Sequence, residues 1–402
     1  MGNTLLVGQA GGATAVINSS LVGIIREARG SGRFERIWGM RRGAEGALER
    51  DLVDLTHLGE EDLGRLERTP GAALGSSRHR LSESDVETLL HFCRDHDIHA
   101  LLYIGGNDSA DTVHRLALHA DAESYELSAI AVPKTIDNDL PVTDHSPGYG
   151  SIARYLAIAT MDSAKDTESM PTMYPVKFME VMGRNAGWVA AASTLGKLEK
   201  EDAPHLLYLP ERPVSRSELV KDVERVYRMY GRVVAVLTET VRDEAGRPFA
   251  DSDASQEVDA FGHPLLRGTA ETMCRLVSQE LGLRTRYDKP GSLQRMSSLC
   301  VSSVDRAEAS EVGRAAVRLA LAGHTNVMVS IVRDSNDPYS SHTTPVPLAD
   351  IANRQRLLPD EFLTADGRGT TDAFRVYARP LLGPETLPDY GRLTAPAASI
   401  SR

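Results

Sequence analysis

The sequence predicts an α/β protein of two three-layer units with mostly parallel sheets. Two observations carry this reading. Short aliphatic runs of β-prone residues alternate with longer segments of helical period, the pattern of parallel strands covered on both faces. At 402 residues the chain also exceeds one domain of about 150 residues, so the strands divide more naturally into two sheets than into one very large one.

The elements follow in order. Thr4 to Gly8 reads as a strand, followed by a glycine turn and a helical apolar stripe from Ala15 through Ile25. Ser82 to Asp95 reads as a helix opened by a capping box, Ser82 with Asp85. Ile98 to Ile104 is a buried strand, Asp108 to His119 a helix, and Ser128 to Val132 a strand running into the polar loop Pro133 to Leu140. After a helix from Ser151 to about Lys165, strand-like runs recur at Val176 to Met182, His205 to Leu209, Val233 to Leu237 and Val327 to Val332. The expected divisions are residues 1–140, 141–335 and a largely irregular wrap at 336–402, where proline and polar residues become more frequent.

Composition narrows the function. Lys and Arg number 45 against 56 Asp and Glu, a net charge of −11, which argues against general binding to nucleic acid or to an anionic membrane. Any phosphate ligand must therefore meet a local basic pocket. Cys93, Cys274 and Cys300 lie far apart, with no disulfide or zinc spacing, as expected in a reducing cytoplasm. The N-terminus lacks the features of a signal peptide, and no apolar run approaches the roughly 18 residues of a membrane helix. A soluble cytoplasmic protein is expected.

Parallel sheets bind ligands beyond the carboxyl ends of their strands, so the polar loops after strands are the candidate sites. Four stand out. Gly8 to Thr14, with Gly11 and Gly12, can present bare backbone N–H groups to an anion, although a tight turn needs such glycines for sterics alone. In Gly105-Gly106-Asn107-Asp108-Ser109, the polar residues can cap the next helix or, as hard oxygen ligands, hold Mg²⁺ against a phosphate. Pro133 to Asp139 gathers Lys134, Thr135, Asp137 and Asp139 at a strand end, where crowded charge calls for a task. If this loop is extended, the two carboxylates share one side, one as base and the other serving a metal or holding it in place. Met182-Gly183-Arg184 offers a guanidinium fork suited to phosphate.

In this order, with Leu74 to Arg78, Thr238-Glu239 and Leu293-Gln294-Arg295 added, the segments resemble the phosphofructokinase family from about Leu5 to Gly383. The resemblance implies two Rossmann-like domains, the active site in the cleft between them, and phosphoryl transfer to the 1-hydroxyl of fructose 6-phosphate. The ATP-using branch has glycine where this chain has Asp108 and Lys134, so the resemblance is to the pyrophosphate-using branch, whose reaction is reversible. Charge agrees: the Asp108 carboxylate repels a nucleotide α-phosphate, and Lys134 neutralises a compact diphosphate. ATP as donor, sedoheptulose 7-phosphate as acceptor, and a non-catalytic sugar-phosphate binder are the rival readings.

Carried over by residue, the resemblance makes Asp137 the base and has Lys134, Mg²⁺ and Arg184 stabilise the transferring group, with Asp139 beside them. Gly11, Gly12, Arg78, Gly106 and Asp108 would face the donor. Thr135, Met182, Gly183, Arg184, Glu239 and Arg295 would line the sugar-phosphate site. The family's metal-binding aspartate is replaced by Asn107, which leaves Asn107 with Asp108, Asp137 or Asp139 for the Mg²⁺ ligand. Pro175 and Ser292 stand where the ATP branch has an arginine and a histidine, so Lys177 and Arg286 are candidate replacements, the latter reaching across a homodimer or homotetramer interface.

Overall fold

The computed structural model describes residues 4–77, 79–250 and 268–392. Its strands are β1 (Thr4–Gln9), β2 (Arg36–Met40), β3 (Leu52–Asp54), β4 (Ile98–Gly105), β5 (Ser128–Pro133), β6 (Val176–Val181), β7 (Leu206–Tyr208), β8 (Val233–Thr238), β9 (Thr285–Asp288), β10 (Val327–Asn336) and β11 (Tyr339–Pro347). They form two sheets, ordered β11-β10-β5-β4-β1-β2-β3 and β7-β8-β6-β9. The second sheet is parallel throughout, and in the first only the edge strands β3 and β11 run antiparallel to their neighbours.

Both sheets are buried on both faces, which is why their strands read as continuous apolar runs. Along β4, Leu101 and Tyr103 enter one core while Ala100, Leu102 and Ile104 enter the other. In β6, Met179 and Val181 point to one side and Val176 and Phe178 to the other. The capping box at Ser82 forms as expected and opens the helix Glu83–Asp95. Among the described residues, no helix is long and apolar enough to cross a membrane.

The C-terminal third departs from the sequence expectation. A boundary at 335 falls inside β10, and residues 336–347 of the expected irregular wrap build the hairpin that completes the first sheet; the described chain after them is mainly irregular, with short turns and the helix Asp372–Ala378. The apolar start of β10 pairs with Ile130 and Ala131 of β5, covering an otherwise open edge. In β11, Ser340, Ser341, His342, Thr343 and Thr344 make a largely polar edge strand, a composition easily taken for loop. The helix Ser303–Leu321 returns with the hairpin and packs on the helix Ile17–Ser31. A Cβ on Gly313 would lie 2.2 Å from the Ser20 carbonyl, so this crossing admits only glycine.

A buried charge cluster joins the loop after β5 to these returning elements. The imidazole of His145, 1% exposed, lies 2.7 Å from Asp144 and 2.6 Å from Glu308. Glu308 also accepts from Tyr339 and Ser341, and Asp144 from Arg333. Burial disfavours the charged imidazole, but the Glu308 carboxylate and the hydrogen bonds to both acids outweigh it and raise the pKa to about 9. The folded value exceeds the unfolded one of 6.5, so the stabilisation is complete below pH 6.5 and fades as pH rises through 9. Urea unfolding should therefore show the stability advantage over His145→Gln shrinking by on the order of 3 kcal/mol across that window. A pH-independent difference would contradict a charged His145.

Candidate active site

The loops after β1, β4 and β5 of the first sheet and after β6 and β8 of the second open into one cleft of about 640 Å³. Gly11, Gly12, Gly106, Asn107, Asp108, Lys134, Thr135, Asp137, Asp139, Met182, Gly183, Arg184, Glu239 and Arg295 all line it. The strand-end rule thus places the four candidate loops together.

Each loop has a local reason for its shape. Lys134 Nζ donates to the Gly12 carbonyl at 2.7 Å, and a Cβ on Gly12 would lie 2.8 Å from an Arg295 nitrogen, so glycine lets two cations flank the turn. Gly106 precedes the helix Asn107–Ala122, whose first residues face the cleft, with Asp108 exposed on the wall. Gly183 has φ 134°, a conformation that favours glycine, and Gln294 fixes this loop by accepting the Met182 N–H at 3.1 Å.

The loop after β5 is not extended. Asn138 takes φ 53° and the chain folds around Arg356, whose guanidinium donates to the carbonyls of Asn138, Thr143 and Asp144 at 2.7 to 3.2 Å. Asp137 and Asp139 nevertheless lie close enough for the charge of one to raise the pKa of the other. Their surroundings differ. Asp139 accepts from Thr135 at 3.3 Å, Asn107 at 3.3 Å and Gln355 at 3.0 Å, whereas Asp137 Oδ1 is buried without a hydrogen-bond partner.

Desolvation governs the electrostatics. Burial, with the charges of Asp139 and Glu239, pushes the Asp137 carboxyl up to about 7 against the opposing pull of Arg184 and Lys134. Burial, with Arg295, brings Lys134 down to about 8. Glu239 is raised by burial and by nearby Glu180. A base near neutrality beside a readily neutralised ammonium is suited to proton transfer and anion binding.

The site also has oxygens fit for a hard cation. Asn107 Oδ1 shares with Asp137 Oδ1 the state of a buried oxygen lacking a hydrogen-bond partner. No group of three or more His, Cys, Asp or Glu residues forms a metal cage among the described residues. Few protein oxygens completed by water and ligand phosphate is the usual Mg²⁺ arrangement.

Two expected residues lie elsewhere. Lys177 is buried near the amino end of β6, the end away from the cleft, donating to Ser163 at 3.2 Å and Asp166 at 2.5 Å. Its charge is therefore committed to structure. Arg286 is exposed on β9, stacked over Tyr174 at 4.6 Å, outside the cleft of its own chain. Arg78 lies outside the described residues.

Sequence reasoning missed Arg80, Arg115, Asn353, Arg354 and Gln355 on the cleft wall. The run Asn353 to Arg356 is visibly polar, but it does not directly follow a strand of the parallel part, so the strand-end rule passes over it.

A family model described as Phosphofructokinase matches residues 4–320. The chain is 40% identical over 389 residues to the pyrophosphate–fructose 6-phosphate 1-phosphotransferase of Halomonas elongata, covering 95% of this chain and 92% of that protein. Identity to the Rhodospirillum rubrum protein of the same name is 40% over 394 residues, covering 97% and 96%. The crystal structure of a pyrophosphate-dependent phosphofructokinase from Marinobacter aquaeolei superposes with a TM-score of 0.86 at 35% identity, covering 97% of this chain and 94% of that one.

Gln355 and Arg356, which hold the loop after β5, lie beyond the span that the family model matches. Arg356→Lys should lose the forked contacts to three carbonyls and lower the unfolding free energy by about 2 to 3 kcal/mol in urea denaturation. A loss below about 0.5 kcal/mol would show that the fork does not hold the loop.

Proposed function

Because the chain belongs to the phosphofructokinase family, we propose that it reversibly transfers a phosphoryl group from pyrophosphate to the 1-hydroxyl of fructose 6-phosphate. The products are fructose 1,6-bisphosphate and inorganic phosphate. The carrying observation is the juxtaposition of buried Lys134, hydrogen-bonded to Gly12, with the half-buried Asp137, whose buried Oδ1 has no hydrogen-bond partner.

Asp137 takes the proton of the sugar hydroxyl as its oxygen attacks the terminal phosphorus in line. Lys134 and Arg184 stabilise charge on the transferring group in a site where low dielectric strengthens each contact. Asp139 positions rather than deprotonates, because Thr135, Asn107 and Gln355 already occupy its oxygens. Glu239 faces the sugar hydroxyls, with Thr135, Met182, Gly183 and Arg295 completing that side of the cleft. Gly11, Gly12 and Gly106 let the donor approach the backbone, while Asp108 on the wall disfavours an α-phosphate. Asn107, with Asp108 nearby, would hold Mg²⁺, which when bound neutralises donor charge. Arg286, exposed and not part of its own cleft's lining, fits a sugar-phosphate contact to a neighbouring subunit of a cytoplasmic homodimer or homotetramer.

Steady-state assays should show turnover of fructose 6-phosphate with pyrophosphate and Mg²⁺, abolition by EDTA, and far slower reaction with ATP; preference for ATP would overturn the donor assignment. Asp137→Ala should lower kcat on the order of 10³-fold with little change in the KM for pyrophosphate. Near wild-type turnover would remove Asp137 from the role of base.

The pH profile of kcat/KM follows from the two shifted groups. Asp137 accepts a proton only when ionised, so the rate falls below about pH 7, and Lys134 grips the diphosphate only when protonated, so it falls above about pH 8. A profile flat from pH 5.5 to 9.5 would contradict both assignments.

A further inference from the structure

A carboxamide at Asn107, where the family resemblance implies an aspartate, changes what this site must do to bind a cation. A carboxylate has two equivalent oxygens, so either can ligate. A carboxamide has one oxygen and one NH₂ group and serves only if something decides which end faces the ligand.

We propose that Gln355 is a positioning residue that makes this decision and so sets divalent-cation affinity; the inference rests on the reading of the cleft as an Mg²⁺-dependent diphosphate site. Asp139 Oδ2 accepts from Gln355 Nε2 at 3.0 Å and from Asn107 Nδ2 at 3.3 Å. Turning the Asn107 carboxamide over would set its oxygen against that carboxylate oxygen, so the NH₂ group faces Asp139. Asn107 Oδ1 is thereby turned from Asp139 and left buried with no hydrogen-bond partner. Gln355 fixes the Asp139 carboxylate in the position that imposes this choice.

The backbone supports the arrangement independently of the Gln355 side chain. The Arg356 N–H donates to the Asp139 carbonyl at 2.7 Å, and the Arg356 guanidinium holds Asn138. The Gln355 side chain is itself exposed on the cleft wall, so replacing it leaves the core and the backbone anchor in place.

The test is a direct Mn²⁺ titration by electron paramagnetic resonance in the presence of methylenediphosphonate, on wild type, Gln355→Leu, Asn107→Asp and the double variant. Gln355→Leu should weaken Mn²⁺ binding about tenfold in the wild-type background, the lower end of the range for groups that orient a metal ligand. In the Asn107→Asp background the same change should cost less than about twofold, because a carboxylate needs no orienting. For Gln355→Leu alone, the melting temperature and the KM for fructose 6-phosphate should stay at their wild-type values. Unchanged Mn²⁺ affinity in Gln355→Leu, an equal loss in both backgrounds, or a wild type that binds no Mn²⁺ each overturns the inference. Failure of the functional reading looks different: Mn²⁺ binds as described, but the wild type does not turn over pyrophosphate.

Discussion

The site depends on one desolvated ammonium. Lys134 is 2% exposed, bonded to the Gly12 carbonyl and held within the field of Asp137, Asp139 and Arg295. An ion removed from water to this degree is tolerated only where partners compensate, and its local carboxylates do so only in part. The remaining demand is for a compact, highly charged anion. A diphosphate meets it, and at the same time relieves the crowding of Lys134 against Arg295.

The same constraint shapes the neighbours. Two carboxylates close together in low dielectric do not ionise independently, and the fold separates their roles by hydrogen bonding. Asp139 is surrounded by donors, including one from a segment far along the chain, whereas Asp137 Oδ1 has none. The chain that returns after the second sheet supplies much of this control. Arg356 threads the loop after β5, stacks on Trp188 at 4.6 Å and receives the indole N–H on its carbonyl, so the two halves of the protein meet around one guanidinium. Glu308, Tyr339 and Arg333 hold the next stretch through His145 and Asp144.

What the sequence revealed follows from what is local. Parallel strands buried on both faces leave apolar runs, and their carboxyl ends are marked by polar loops, so β1, β4, β5, β6 and β8 and their site residues were legible. Less legible was everything set by distant partners. β11 is polar enough to resemble loop, and its strand character comes from pairing with β10. The turn at Asn138 exists because Arg356 gathers the surrounding carbonyls. Lys177 looked available although its partners Asp166 and Ser163 lie only 11 and 14 positions earlier, because the packing of their helix against β6 is set by tertiary contacts rather than by local pattern. Gln355 lies 216 positions from the carboxylate it supports, with no periodicity to announce it.

In the proposed reaction a buried, partly neutralised Lys134 receives the diphosphate. Proton uptake measured by calorimetry in two buffers of different ionisation enthalpy, as methylenediphosphonate binds at pH 8.5, addresses this step most directly. Wild type should take up a substantial fraction of a proton more than Lys134→Met, as the anion restores the ammonium. Equal proton uptake in the two proteins would contradict it.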